Sequence, residues 1–392
     1  MLRALCHCER GALGGRSAER VRILLLIRRL DFGGAENRLI DLANALVRAG
    51  HRVIVAAGRG RGARGLLSDV DFRPLPFLAP LRPFTVAAVQ RLAEAERIEI
   101  VHAHQREPGI VGAVVCSRIG APLVATLHSR IEWDFDLPWV RQAIARLFVP
   151  SEAWVARVAR VDPGLADRSI VVPNGLSTAR VDGVSRSRLR VLYASRIDRF
   201  HERALRLLVR DAWPRVLRRF PRCELAIAGD GVRYGSVRRE AIRTNRRVGR
   251  ETVRTLGYCP DLDQQLARTG LVLGVGRVAL EAAGQGAPVL LVNDAHLGPR
   301  LRPGNVHLLA GHNFVPVSSP PPTPQRLAAA VCRVLESYER VRVDAEVLSV
   351  LVRARFEHRR FVPVVEDGYR AAVEAVVPRH PLSLSPAGAL HS

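Results

Sequence analysis

The chain has no lysine; all 60 of its basic residues are arginine. Its one methionine is Met1, and aromatic residues make up only 5% of its 392 positions. The arginines are spread over both halves rather than gathered in a tail, so the formal net charge of +23 reads as a solvated arginine-rich surface and not as a nucleic-acid stripe. Nucleic acid is therefore not among the expected partners. No apolar run approaches the ~20 residues of a membrane-crossing helix. Residues 1–20 carry charges throughout and lack a sustained apolar core, so they read as an extension before the first strand rather than a secretory signal. Cysteine pairing is also lacking. Cys116, Cys223, Cys259 and Cys332 stand singly, and Cys6-His7-Cys8 has no second pair at zinc spacing. The pattern predicts no metal site and suits a reducing cytoplasm.

What is present is core-forming sequence. Apolar residues make up 48% of the chain, and the length predicts two domains rather than one. Val21–Ile27 reads as a buried parallel strand, followed by a turn at Asp31-Phe32-Gly33-Gly34 and a helix over Ala35–Ala49. Strands are expected at Arg52–Ala57, Ile98–Ala103 and Leu123–Leu127, with a helix near Gly109–Ile119. Leu137–Leu147 reads as an amphipathic basic helix, which leaves open a peripheral contact with an anionic membrane. After a polar stretch at 176–188, strands and helices alternate again: Leu189–Ala194, a long helix over Arg203–Phe220, Leu225–Ala228, a helix at Val237–Gly249, then Val253–Gly257. Thr323 and Pro324 open a later helix as N-cap and first residue, and the end beyond Leu382 lacks periodicity.

This alternation predicts an α/β protein of two facing Rossmann-like domains with a cleft between them. The expected divisions are 1–20, a first domain at 21–175, a linker at 176–188, a second domain at 189–355, and a C-terminal helix and tail at 356–392. Ligands of open α/β sheets sit at the carboxyl ends of the strands. Gly33-Gly34, His128, Arg196, Gly229–Gly231 and Gly274–Gly276 all fall there. The segment Leu271–Leu291 (LVLGVGRVALEAAGQGAPVLL) is the most informative. It reads as strand, glycine turn, short helix and strand, the layout that points helix-terminal N–H groups at an anion. Glu281 is the carboxylate in it, suited to a ribose hydroxyl rather than a phosphate.

Six pieces of the sequence, in order, resemble the GT-B glycosyltransferases, most closely family 4. They are Gly33-Gly34-Ala35-Glu36, Gly50-His51-Arg52-Val53, Val101-His102-Ala103-His104, Pro173-Asn174-Gly175, Ala228-Gly229-Asp230-Gly231, and Leu280-Glu281-Ala282 with Gly286-Ala287-Pro288. The resemblance runs from about Arg22 to about Leu335. It implies a retaining hexosyltransferase that uses a nucleotide-sugar donor and needs neither metal nor other cofactor. Such an enzyme would act in polysaccharide or glycolipid synthesis, on an acceptor the sequence does not identify. It further implies that Glu281 holds the donor ribose, Arg196 grips the diphosphate, Gly33 and Gly34 form a loop near the phosphates, and His128 lies beside the transferred sugar. Gly274, Gly276 and Arg277 complete the expected donor site, and Asn174 is expected to be architectural. His102 and His104, on alternate positions at a strand end, are expected to pack. Two positions depart from the family pattern. Leu273 stands where a first glutamate is usual, and His201 stands where a lysine is usual, with Arg277 the best-placed substitute cation.

Other readings remain. Gly274-x-Gly276-x-x-Ala279 satisfies a dinucleotide pattern and would suit an NAD-linked oxidoreductase, although it falls late in its half-chain and is followed by only two helical turns. A GT-B epimerase or a non-catalytic binding module would share the architecture.

Overall fold

The computed structural model describes residues 20–31, 33–176 and 179–375. Residues 1–19 of the expected 1–20 extension, with Cys6-His7-Cys8, and residues 376–392 of the expected C-terminal segment lie outside the described residues. The first sheet holds β1 (Arg22–Arg29), β2 (Arg52–Gly58), β3 (Asp71–Pro74), β4 (Ile100–His104), β5 (Leu123–Thr126), β6 (Ile144–Val149) and β7 (Ser169–Val171) in the order β3-β2-β1-β4-β5-β6-β7. Every pairing in it is parallel. The second sheet holds β8 (Ser187–Ala194), β9 (Glu224–Ala228), β10 (Val253–Gly257), β11 (Thr269–Gly274), β12 (Val289–Val292) and β13 (Leu297–Arg300) in the order β10-β9-β8-β11-β12-β13. Only β12–β13 is antiparallel there. The architecture is α/β, with two Rossmann-like domains.

The apolar runs explain the strands. Ile23–Ile27 is fully buried because helices cover both faces of a parallel sheet, so the run need not alternate. The helix Gly34–Arg48 buries Leu39, Leu42, Ala43 and Leu46 against β1 and β2. Thr323 caps the helix Pro324–Glu336 as its sequence predicts, its side chain accepting from the Arg326 N–H. The final helix, Val362–Glu374, returns to the first domain, where Val365, Tyr369 and Ala372 pack with Ile23 and Phe148.

Two expectations are corrected. Leu137–Leu147 is not one amphipathic helix: Pro138–Ala143 is a short helix, and Ile144–Val149 is β6, paired to β5 and β7. The arginines that suggested a basic face are partnered locally, Arg141 with Asp162 at 3.0 Å and Arg146 with the Ala145 carbonyl. The alternation IARLFV then serves a sheet interior. The long helix over Arg203–Phe220 is present but changes pitch. It runs Glu202–Leu207, takes a π turn at Leu208–Ala212, and resumes over Trp213–Arg219. Pro214 has no N–H to offer the preceding turn, which accounts for the irregular pitch.

Candidate active site

Strand order reverses between β1 and β4 in the first sheet and between β8 and β11 in the second. The carboxyl ends of these four strands border the crevice where such sheets bind ligands. Arg196 follows β8. Its loop is braced by the Gly229-Asp230-Gly231 turn: the Ile197 N–H donates to the Asp230 carbonyl at 2.9 Å, and the Ser195 carbonyl lies where a Gly229 Cβ would have to go. From this loop Arg196 reaches the other domain and pairs with Glu36 at 3.2 Å. Gly33 makes the approach feasible, since a Cβ there would collide with the Arg196 guanidinium and the Glu36 carboxylate. Gly34 opens the helix Gly34–Arg48 with empty space beside it. A second pair crosses the cleft beside the first, Arg61 with Asp230 at 3.1 Å.

The glycine turn forms as expected, but its groups are more committed than the sequence implies. Gly276 has φ +63°, a left-handed conformation that favours glycine. Its N–H donates to the Phe314 carbonyl at 3.2 Å, which ties it to the protein. Gly274 closes β11 with the Ala194 carbonyl 3.0 Å from where its Cβ would lie. Arg277, at the start of the helix after the turn, is engaged by carboxylates. Its Nε donates to Glu281 Oε1 at 2.6 Å, and an Nη bonds Asp41 of the first domain. Burial works against the Arg277 charge, but Asp41 and Glu281 outweigh it and lift the pKa above the ordinary arginine value. The result is a largely buried bridge of carboxylate, guanidinium and carboxylate between the two domains.

His128 follows β5. Asp134 fixes its backbone, accepting from the His128 and Ser129 N–H groups at 2.9 and 2.7 Å and from the Ser129 hydroxyl at 2.8 Å. Its Nε2 lies 2.8 Å from His104 Nδ1 at the end of β4. His104 in turn stacks on His102, ring centroids 4.5 Å apart, and His102 lies between the Tyr369 and Thr126 hydroxyls at 2.7 and 2.8 Å. Burial, seconded by the Arg38 charge, lowers His102 to about 3. Burial holds His104 and His128 well below the ordinary histidine value too, with the Arg38 charge adding to it in both. All three rings are neutral at physiological pH. His201, at the lysine position, begins the helix Glu202–Leu207 and meets the Tyr193 hydroxyl at 3.1 Å. Burial lowers its pKa, against the pull of Asp198 and Asp294, so it adds no positive charge there.

The cleft therefore gathers Gly33, Arg196, Glu281 and their partners from both domains. Sequence reasoning missed Glu36, Asp41, Asp134 and the contact of His104 with His128. It quoted Glu36 within a motif without giving it a task. One signal was available for Arg38. It lies four residues before Leu42 on the buried stripe of an amphipathic helix, where a charged residue demands an explanation. At the cleft mouth, Trp133 of the first domain stacks near Phe200 of the second at 6.0 Å, with the Arg199 guanidinium over both rings. Among the described residues, no helix is long and apolar enough to cross a membrane.

This two-domain arrangement, with the site between facing sheets, is that of a GT-B glycosyltransferase, and comparison with known proteins specifies the family. Residues 32–180 match the model of Glycosyltransferase Family 4, and residues 188–337 match that of Glycosyl transferases group 1. The chain is 27% identical over 337 residues to the phosphatidyl-myo-inositol mannosyltransferase of Mycobacterium tuberculosis, covering 78% of this chain and 84% of that one. It is 25% identical over 283 residues to one component of the phosphatidylinositol N-acetylglucosaminyltransferase of Arabidopsis thaliana, covering 64% and 60% of the two chains. Among solved structures, Anabaena Alr3699/HepE in complex with UDP and glucose superposes with a TM-score of 0.69 at 20% identity, covering 89% and 99%. The chain belongs to the family 4 glycosyltransferases of the GT-B fold, and it is a glycosyltransferase enzyme.

Proposed function

We propose that the protein transfers a hexose, with retention and without a bound metal, from a nucleoside diphosphate-sugar to a lipid-linked acceptor. The donor-side domain is 189–355 and the acceptor-side domain 21–175. The observation that carries the donor assignment is the Glu36–Arg196 pair: a carboxylate rests on the guanidinium expected to receive the donor's phosphates. As the bond from the anomeric carbon to the phosphate oxygen breaks, negative charge grows on the departing diphosphate. Arg196 and the N-terminus of the helix Arg277–Gly284 supply positive potential for it. Arg277 acts on Glu281 rather than on phosphate, fixing the carboxylate that accepts from the ribose hydroxyls. A neutral His128, aimed by His104 and Asp134, offers a hydrogen bond to the sugar without adding a charge.

A lipid acceptor is supported by the two relatives whose names carry phosphatidylinositol and by exposed Leu78, Leu81, Phe84, Trp133 and Trp139 on the acceptor-side domain. These residues, not a basic helix at Leu137–Leu147, would bring the cleft to a membrane surface. A thermal-shift panel of UDP-, GDP- and ADP-sugars identifies the donor; at 100 times its Kd a ligand stabilises by about 2.7 kcal/mol. Transfer is then read by mass spectrometry with phosphatidylinositol vesicles as the first acceptor. Loss of transfer in Arg196→Ala and Glu281→Ala is the expected result, and unchanged activity in both would refute the site. Donor turnover without any acceptor would favour the epimerase, and stabilisation by NAD in place of every sugar nucleotide would favour the oxidoreductase.

A further inference from the structure

His104 is fully buried, and its two ring nitrogens stand in different surroundings. Nδ1 lies 2.8 Å from His128 Nε2, whereas Nε2 is buried with no hydrogen-bond partner. The centroids of the two rings are 5.0 Å apart and their planes are inclined by 26°. With the nitrogens at 2.8 Å, the rings therefore meet edge to edge, the direction in which a ring N–H and a ring lone pair point. Asp134 steadies the His128 end by accepting from the His128 and Ser129 N–H groups.

Both rings are neutral, because burial first and the Arg38 charge after it oppose a second proton on either. Each then carries one proton, and a single proton lies between them. Two arrangements satisfy this. In one, His128 donates from Nε2 to His104 Nδ1. His104 must then hold its own proton on Nε2, and that buried N–H has nothing to receive it. In the other, His104 donates from Nδ1, its Nε2 is a bare lone pair, and His128 holds its proton on Nδ1. His128 Nδ1 has no protein partner but is not sealed from solvent as His104 Nε2 is, so a ligand or water can receive its N–H. Orphaned buried N–H groups are rarer in folded proteins than under-used acceptors, which favours the second arrangement.

We infer that His104 is a positioning residue: it donates from Nδ1 to His128 Nε2, locks His128 as the Nδ1–H tautomer, and so makes His128 present a hydrogen-bond donor to the bound sugar. This rests on the proposed placement of His128 beside the transferred sugar. With Nε2 engaged and Nδ1 protonated, His128 has no free lone pair with which to take a proton from an acceptor hydroxyl. Its part is to orient and polarise a sugar oxygen, not to act as a base.

Long-range nitrogen-15 to proton correlation spectra of the histidine rings, recorded on the whole protein at neutral pH without ligand, read the tautomers directly. Both His104 and His128 should show a protonated Nδ1 and a bare Nε2, with His104→Asn and His128→Gln assigning the signals. A proton on Nε2 of either ring, or exchange of His128 between tautomers, overturns the inference. In turnover, His104→Phe keeps a ring against His102 but removes the donor, and kcat should fall by about tenfold with the donor KM little changed. His104→Asn, whose amide N–H reaches the δ position, should recover most of that loss. Equal losses in the two variants, or none in either, would reduce His104 to packing and overturn the role. Should His104→Phe fail to fold, the wild-type spectra decide alone. The tautomers are read without substrate, so their failure is distinct from failure of the transferase reading, which would show as no transfer from any UDP-, GDP- or ADP-sugar by the wild-type protein.

Discussion

The sharpest consequence of the cleft geometry concerns Glu36. Its carboxylate sits 3.2 Å from the Arg196 guanidinium, where a donor phosphate is expected to bind. The diphosphate must displace it, so removing the charge in Glu36→Gln should tighten nucleotide binding. At 3.2 Å, two unit charges interact by about 1.3 kcal/mol in bulk water and by about 5 kcal/mol at an effective dielectric of 20. The Glu36 side chain is 8% exposed but that of Arg196 is 46% exposed, so solvent screens the pair and the lower figure governs. A value of ~1 kcal/mol corresponds to about fivefold in Kd. Glutamine keeps the shape and one acceptor, which limits damage to the helix start. Titration calorimetry with UDP and GDP measures the effect, and raising ionic strength from low salt to above 0.1 M should shrink it, since the screening length falls to about 10 Å there.

A double-mutant cycle separates displacement from simple repulsion between Glu36 and the incoming phosphates. If Glu36 acts by occupying Arg196, Glu36→Gln has no effect in the Arg196→Ala background. An undiminished gain in that background would mean that Glu36 repels the ligand directly. A weaker or unchanged Kd in Glu36→Gln alone would refute the idea that this pair guards the donor site.

Glu281→Ala should cost about 10–100-fold in kcat/KM, the worth of a hydrogen bond to a charged group, and should erase discrimination against 2′,3′-dideoxy donors; retained discrimination would assign the ribose elsewhere. Arg277→Met leaves Asp41 and Glu281 without their shared cation, and urea unfolding should show a loss of about 3–5 kcal/mol, the cost of breaking a buried pair. The histidine cluster makes stability pH-dependent. Burial depresses the folded-state values of His102, His104 and His128 below an unfolded value of about 6.5. The unfolded chain therefore takes up protons first. The stability these rings contribute is fully present above about pH 6.5 and is lost as pH falls toward about 3, where His102 titrates in the fold. The thermal midpoint should drop between pH 7 and pH 5.5, with a shallower slope in His102→Asn; equal slopes would show that other groups carry the acid lability.

The fold was largely legible because parallel strands covered on both faces write themselves as uninterrupted apolar runs, as in β1 and β5. β6 was misread for a physical reason. Its neighbours Arg141 and Arg146 satisfy themselves on Asp162 and the backbone, and such local pairing imitates a solvated basic face in the sequence. The glycine turns at the strand ends were legible too, because Gly229, Gly231 and Gly276 take positive φ, which favours glycine. What the sequence did not carry was the state of those residues. Arg196 meets a carboxylate 160 positions away and Arg277 one 236 positions away, and no periodicity encodes contacts between separately folded sheets.

That difference bears on the two departures from the family pattern. Leu273 is fully buried inside β11 and paired with Tyr193 and Leu290, so strict spacing from Glu281 lands in a sheet interior where no carboxylate would serve a ligand. The glycine turn with Arg277 fills the place instead, and it does so by bonding Glu281 and Asp41 together. His201 is likewise absorbed into the second domain's own packing. On the proposed reading, a cleft that lacks both the usual glutamate and the usual lysine places more of the diphosphate charge on Arg196. The carboxylate covering Arg196 is then expected to control more of donor binding than it would where a lysine shared the load. This is why Glu36, rather than either missing residue, is the position at which substitution should move donor affinity upward.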